Sequence, residues 1–274
     1  MTCIAETAMI ASDCQVDPML VGLNRLVLFY GPPGTGKTSL CKAVAQKVSI
    51  RMGDKYNEFQ FVEINSHSLF SKWFSESGKL VQKMFDQLLE LLEEPRTFLF
   101  VLIDEVESLT MSRKESKNEP SDALRVVNAL LTQIDQLKSH RNVLVLATSN
   151  LKNQIDEAFL DRADIAYEVN LPSDKIAYEI FQTCVQEFQT KGIILSKDEL
   201  FGYKFISDMM CNENKVMQSS LKLFSMLKEG KPISARLIRK LSFQALMKVP
   251  ELPTSLNEYL NALEECYKAK ISTI

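Results

Sequence analysis

Five apolar runs punctuate the first two-thirds of the chain. They are "RLVLFY" (25–30), "FQFVEIN" (59–65), "FLFVLIDE" (98–105), "NVLVLATSN" (142–150) and a weaker "AYEVNLP" (166–172). Runs this short, bounded by polar and turn-forming residues, predict buried strands. Helical spacing fills the gaps. Leu40, Val44 and Val48 recur at every fourth position after the first run, and Leu80, Met84, Leu88 and Leu92 do so after the second. Leu124, Val127, Leu131 and Ile134 follow the third. Strands alternating with helices predict an α/β fold, a parallel sheet flanked by helices on both faces. From about Ser173 the strand signal fades, and amphipathic helical stretches run to the C-terminus. The expected division is a large α/β domain over 23–172 and a smaller all-helical domain over 173–274, with 1–22 as a linker. The polar stretch "SRKESKNEPS" (112–121) reads as an exposed, solvated loop.

One stretch fits neither period. "HSLFSKWFSESGKLV" (67–81) holds the only tryptophan, Trp73, beside Phe74 among serines, lysines and a glycine. A lone aromatic in a polar segment is most simply half-buried packing, so Trp73 needs a reason from elsewhere in the chain.

Composition narrows the classes. A chain of 274 residues has ample apolar content for real cores, and its formal net charge of −3 gives no electrostatic case for nucleic acid. Six cysteines (Cys3, Cys14, Cys41, Cys184, Cys211, Cys266) lack C-x-x-C spacing, and His67 and His140 are the only imidazoles. That argues against a structural zinc site and suits a reducing compartment. The start, "MTCIAETAMIASDCQVDP", lacks a basic region followed by an uninterrupted apolar core, and no run reaches the roughly 18 residues of a membrane helix. The expectation is a soluble intracellular protein with no membrane partner.

"YGPPGTGKTSL" follows the first strand directly and opens the first helix. Gly31, Gly34 and Gly36 allow a tight turn whose N–H groups point inward, where side chains would obstruct phosphate oxygens. Lys37 supplies a compact positive charge to the β- and γ-phosphates, and the Thr38 hydroxyl can ligate Mg²⁺. Pro32, Pro33, Thr35 and Ser39 complete the candidate nucleotide loop. At about 7% glycine usage, an accidental match over this length is a roughly one-in-a-hundred event.

A phosphate loop alone hydrolyses nothing. "FLFVLIDE" ends in Asp104 and Glu105, which puts two carboxylates at the C-terminal edge of the sheet, where ligands bind in open α/β folds. Asp104 would hold Mg²⁺ through water, and Glu105 would orient and polarise the attacking water. The bland alternative is two acids favouring the next helix N-terminus. Asn150, ending "LATSN", could hold that water near the γ-phosphate; as a bare residue it is a turn former.

Taken together these residues resemble the AAA+ ATPases from Leu26 to the C-terminus. Gly31–Thr38 correspond to Walker A, Asp104 and Glu105 to Walker B, and Asn150 to sensor 1. "DEAFLDRADIAYEVNLP" is similar to the second region of homology. The resemblance implies Arg162 as an arginine finger offered to a neighbouring subunit, and Arg236 in "KPISARLIRKL" as the sensor 2 arginine. Read from the residues, Ser234 is a plausible N-cap, and Arg236 lies in the first turn of a helix turning Leu237, Ile238, Leu241 and Ala245 inward. A surface ion pair is the plain reading of either arginine.

A narrower resemblance rests on "EINSHSLFSKWFSESGKLV", "VLIDEVESLT", "EPSDALRVVNALLTQID" and "DRADI". These segments are similar to the pachytene checkpoint protein 2 family, also called thyroid receptor-interacting protein. The resemblance implies an ATP- and Mg²⁺-dependent homo-hexamer that opens HORMA-domain proteins, with an adaptor. It further implies roles in meiotic chromosome axes, recombination, synapsis surveillance and the spindle checkpoint, in nucleus, chromosomes and cytoplasm. Trp73 and Phe74 then match the aromatic pair of a central pore loop, where a ring grips a threaded chain by apolar contact. Only 30 residues precede Gly31, whereas the family carries a separate N-terminal domain for substrate and adaptor. A shortened form lacking most of that domain is the expectation. Two other readings stay open: a non-hydrolysing subunit that modulates full-length hexamers, and an AAA+ ATPase acting on DNA.

Overall fold

The computed structural model describes residues 25–66, 79–108, 120–151, 155, 157–195, 200–209 and 218–272. The first unit runs β1 (Leu26–Tyr30), α1 (Lys37–Arg51), β2 (Glu58–Asn65), α2 (Lys79–Glu93), β3 (Thr97–Asp104), α3 (Pro120–Lys138), β4 (Val143–Ser149), α4 (Glu157–Leu160) and β5 (Ile165–Glu168). Its five strands form one sheet in the order β2-β3-β4-β1-β5, and every pairing is parallel.

Strand alternation splits the core in two. Leu26, Leu28, Leu99, Val101, Ile103, Val143, Val145 and Ala147 face one way, and Phe85 and Leu88 of α2 and Leu130, Leu131 and Ile134 of α3 cover them. Val27, Phe29, Phe98, Phe100, Leu102, Leu144 and Leu146 face the other, against Cys41, Val44, Ala45 and Val48 of α1. Helices on both faces explain why β3 and β4 read as unbroken apolar runs: both are buried along nearly their whole length. This is the doubly covered parallel sheet that the pattern predicts.

The differences are local. β5 stops at Glu168 rather than 172. Val169 N–H still donates to Tyr30 O at 2.7 Å, but the chain then turns away, and Pro172 has no N–H to extend a ladder. β3 ends at Asp104 because Glu105 takes φ +62°, which leaves the strand. Pro120 and Ser121, expected in the exposed loop, open α3 instead. Proline suits that first helical position, where its missing N–H would be unpaired anyway. Asn142 precedes β4 rather than belonging to it; its buried amide donates to Leu92 O (3.1 Å) and Thr97 O (2.8 Å).

The second unit groups residues 33–36 with 170–272. Its helices are α5 (Asp174–Thr190), α6 (Tyr203–Met209), α7 (Gln218–Glu229), α8 (Ala235–Leu246) and α9 (Leu256–Ile271). Tyr178, Phe181, Val185, Leu223, Ile238, Leu241, Ala245, Tyr259 and Leu263 form its core. α8 starts where Ser234 caps it, accepting the Leu237 N–H at 3.3 Å. Trp73 and Phe74, and most of the segment that carries them, lie outside the described residues.

Candidate nucleotide site

β1 delivers the chain into a turn that only glycine can make. Gly31, Gly34 and Gly36 all have positive φ, at 147°, 77° and 96°. A Cβ on Gly31 would lie 2.2 Å from Val169 O, so the close approach of β5's continuation also forbids a side chain there. Around a Cβ at Gly36 nothing lies within 4 Å, which leaves the loop's backbone open on that side. Pro32, Pro33, Thr35 and Ser39 lie along the same stretch, with Ser39 inside α1.

Lys37 is the first residue of α1, yet only 6% exposed. Its ammonium donates to Gly31 O at 2.8 Å, Pro32 O at 2.9 Å and Asn150 Oδ1 at 2.9 Å. Those bonds hold the charge at the mouth of the loop. Thr38, one residue on, sits 3.2 and 3.3 Å from the two carboxylate oxygens of Asp104.

Asp104 ends β3, and β4 lies beside it, with Ile103 opposite Ala147. The next β4 residue, Thr148, donates its hydroxyl to Asp104 Oδ1 and accepts the Glu105 N–H at 3.2 Å. Its carbonyl takes the Val106 N–H at 3.0 Å. Thr148 thereby fastens the left-handed kink that turns Glu105 out of the strand, and Glu105 is exposed. Asp104 also acts on the core behind it. Burial first, and the Asp104 charge second, push the Cys41 thiol up to about 12. Cys41 is thus a small apolar residue here, not a nucleophile.

Asn150 follows β4. Its Oδ1 faces Lys37, and its Nδ2 donates to Glu107 Oε1 at 2.8 Å, which also accepts the Asn150 backbone N–H at 3.2 Å. Lys37, Thr38, Asp104, Glu105 and Asn150 therefore meet at the C-terminal ends of three neighbouring strands. Sequence reasoning missed Thr148 and Glu107, the two residues that hold this group in shape. A usable signal was present for Thr148: it is a hydroxyl near the C-terminal end of an otherwise apolar run.

Arg162 lies elsewhere. The Asp164 N–H beside it donates to Leu26 O, at the start of β1 and the end of the sheet opposite Gly31. Its guanidinium Nε bonds both oxygens of Asp135, at 3.1 and 2.9 Å, and Nη1 donates to Ala158 O at 2.8 Å. Lys138 donates to Arg162 O at 2.8 Å and to Asp164 Oδ1 at 2.9 Å, tying this segment down. Arg236, in the second unit, is the second residue of α8; its backbone N–H donates to Gly34 O at 3.2 Å. A Cβ on Gly34 would stand 3.0 Å from Arg236 Cβ and 3.1 Å from Ser234 Oγ.

The donor set suits its expected ligands. Thr38 and Asp104 offer only oxygen, as a hard divalent cation such as Mg²⁺ requires. The glycine turn with Lys37 behind it suits a polyphosphate.

Comparison with known proteins agrees. Residues 27–171 match the ATPase family associated with various cellular activities (AAA), and residues 173–271 match the TRIP13-like AAA+ ATPase lid C-terminal domain. The pachytene checkpoint protein 2 homolog of Xenopus tropicalis is 50% identical over 261 residues, which are 94% of this chain and 60% of that protein. The chain thus spans about 60% of the length of the curated relatives it matches. The solved structure of C. elegans PCH-2 superposes with a TM-score of 0.83 at 43% identity, covering 99% of this chain and 68% of that one. A chain in the structure of the E. coli MS115-1 HORMA:CdnC:Trip13 complex shares the fold, with a TM-score of 0.68 at 16% identity, over 96% of this chain and 85% of that one.

Proposed function

Because this chain belongs to the AAA family of ATPases, in its pachytene checkpoint protein 2 branch, we propose that it hydrolyses ATP to remodel HORMA-domain proteins. The observation that carries the hydrolytic half is the meeting of Lys37, Thr38, Asp104, Glu105 and Asn150 at one edge of the sheet. Lys37 binds the β- and γ-phosphates and neutralises charge as it moves to the leaving group. Thr38 and Asp104 would hold Mg²⁺, which supplies further charge neutralisation when bound. Glu105, turned out of β3, takes a proton from the attacking water, and Asn150 fixes where that water sits. None of these groups needs to form a covalent bond; the catalysis is positioning and electrostatics.

Arg162 supplies the argument for assembly. It stands at the opposite end of the sheet from Gly31, about a five-residue strand away, or roughly 17 Å. A side chain there cannot serve its own phosphate site, whereas an adjacent copy could receive it. Resemblance to the branch supports a homo-hexameric ring as the form of that assembly. The HORMA substrate follows from the names of relatives: pachytene checkpoint protein 2 homologs, and a Trip13 complex that contains HORMA. The same branch supports action at meiotic chromosome axes and in checkpoint signalling, in the nucleus, on chromosomes and in the cytoplasm.

Steady-state ATPase activity of the purified chain, measured together with its mass by light scattering and with a HORMA-domain protein added, tests this reading. Mg²⁺-dependent turnover that a HORMA protein stimulates is the expected result. A chain that binds ATP without turnover at any concentration, alone or mixed with a full-length relative, would overturn it.

A further inference from the structure

Glu107 is the carboxylate that the hydrolytic reading leaves unused. It is two residues past Glu105 and only 8% exposed. Oε1 accepts from both nitrogens of Asn150, its backbone N–H at 3.2 Å and its side-chain amide at 2.8 Å. Oε2 is buried with no hydrogen-bond partner among the described residues. A carboxylate held this way is a poor choice for stability alone, since its second oxygen loses water and gains nothing.

The gain lies in Asn150. A side-chain amide has one accepting end and one donating end of nearly the same size, so its orientation is set by its neighbours. Lys37 Nζ can only donate, and it takes Oδ1 at 2.9 Å. Glu107 Oε1 accepts at the other end. From this geometry we infer that Glu107 is a positioning residue for ATP hydrolysis, fixing the Asn150 amide so that its carbonyl faces Lys37 and the phosphates. In that orientation the second lone pair of Oδ1 can accept a hydrogen bond from the attacking water, whose proton goes to Glu105. With the amide reversed, an N–H would point at the Lys37 ammonium, and the accepting lone pair would be lost. In this role Glu107 acts through Asn150, whose backbone and side-chain N–H groups it accepts.

The inference rests on the ATPase reading, and the test separates the two. Glu107→Met keeps length and burial but removes the acceptor. It should lower kcat roughly 10- to 100-fold, the range seen when a group that orients a site ligand is lost. Affinity for a non-hydrolysable ATP analogue should stay within about threefold, because Lys37 and Thr38 are untouched. Glu107→Gln retains an amide oxygen that can accept both N–H groups, so it should recover most of the loss. Combining Glu107→Met with Asn150→Ala should cost no more than Asn150→Ala alone, since one effect passes through the other. Turnover of Glu107→Met within about twofold of the parent, losses that multiply in the double variant, or a collapse of the melting transition would each overturn the proposal. If the parent itself fails to turn over ATP, the hydrolytic reading falls, and the positioning is judged by NMR. In asparagine-labelled protein, the side-chain NH2 signal that Asn150→Ala removes should move in Glu107→Met. An unmoved signal would overturn the positioning as well.

Discussion

Asp135 grips Arg162 through Nε, with both carboxylate oxygens within 3.1 Å, inside one and the same subunit. The pair joins α3 to the turn before β5 and holds the guanidinium at Nε, while Nη1 donates to Ala158 O. Its side chains are 31% and 48% exposed, so the ion pair contributes about 1 kcal/mol or less to stability.

Arg162→Ala should therefore melt within a few degrees of the parent, yet lose hydrolysis. Because Arg162 stands at the far end of the sheet from Gly31, the loss should be felt by a neighbour. Mixing Arg162→Ala chains with Lys37→Ala chains should restore part of the activity, through interfaces that pair an intact finger with an intact phosphate loop. A mixture as inactive as either parent variant would mean that Arg162 does not act in trans.

Glu105 holds a left-handed conformation, at φ +62°, which costs a residue with a side chain about 1–3 kcal/mol. Two substitutions separate its chemistry from its geometry. Glu105→Gln should bind ATP normally and turn it over at a small fraction of the parent rate. Glu105→Gly should be equally inactive but unfold at the same or a higher temperature, by up to about 1 kcal/mol of added stability. Turnover by the glutamine variant within twofold of the parent would remove Glu105 from the mechanism.

Thr148→Val replaces a hydroxyl by a methyl of similar size, in a site that is 1% exposed. It takes the donor from Asp104 and leaves the Glu105 N–H without its acceptor. The expected cost is about 1–3 kcal/mol in a thermal melt. Half-maximal turnover should also need more Mg²⁺, because Asp104 is less firmly held. A valine variant with parental melting and Mg²⁺ dependence would show that the kink stands without Thr148.

Trp73 carries its own spectroscopic test. As a pore-loop residue its indole should emit at long wavelength and be quenched readily by iodide or acrylamide. Trp73→Ala should then preserve melting and basal ATP turnover but abolish action on a HORMA-domain protein. A buried indole predicts the reverse: a blue-shifted, protected signal and a loss of about 3–5 kcal/mol on truncation. The chain has a single tryptophan, so the emission has one source.

The parallel sheet was legible because β3 and β4 are covered on both faces and so read as apolar runs. The phosphate loop was legible because its glycines and Lys37 answer to a fixed spacing. β5 ends early because its pairing with β1 stops after the Val169 bond to Tyr30, the last residue of β1, a tertiary fact that "EVNLP" does not carry. The turn at Glu105 was hidden for a similar reason: nothing in "LIDEVES" marks a left-handed residue, and Thr148, which holds it, is more than forty positions away. Glu107 escaped notice because an acid just past a strand usually faces water. Its partner is Asn150, 43 positions away, which only the folded sheet brings near.

The pairing of β4 between β3 and β1 sets a ruler across the chemistry. Neighbouring strands lie about 4.8 Å apart, and residues two apart along a strand point the same way. Thr148 therefore meets the acid of β3 from within β4, while Asn150, one residue past its end, meets the lysine that follows β1. A slip of β4 by a single residue would send Thr148 to the opposite face and carry Asn150 away from Lys37. Insertions and deletions within Val143–Asn150 should accordingly be far less tolerated than substitutions, because the spacing of the catalytic groups is counted in rungs of the sheet.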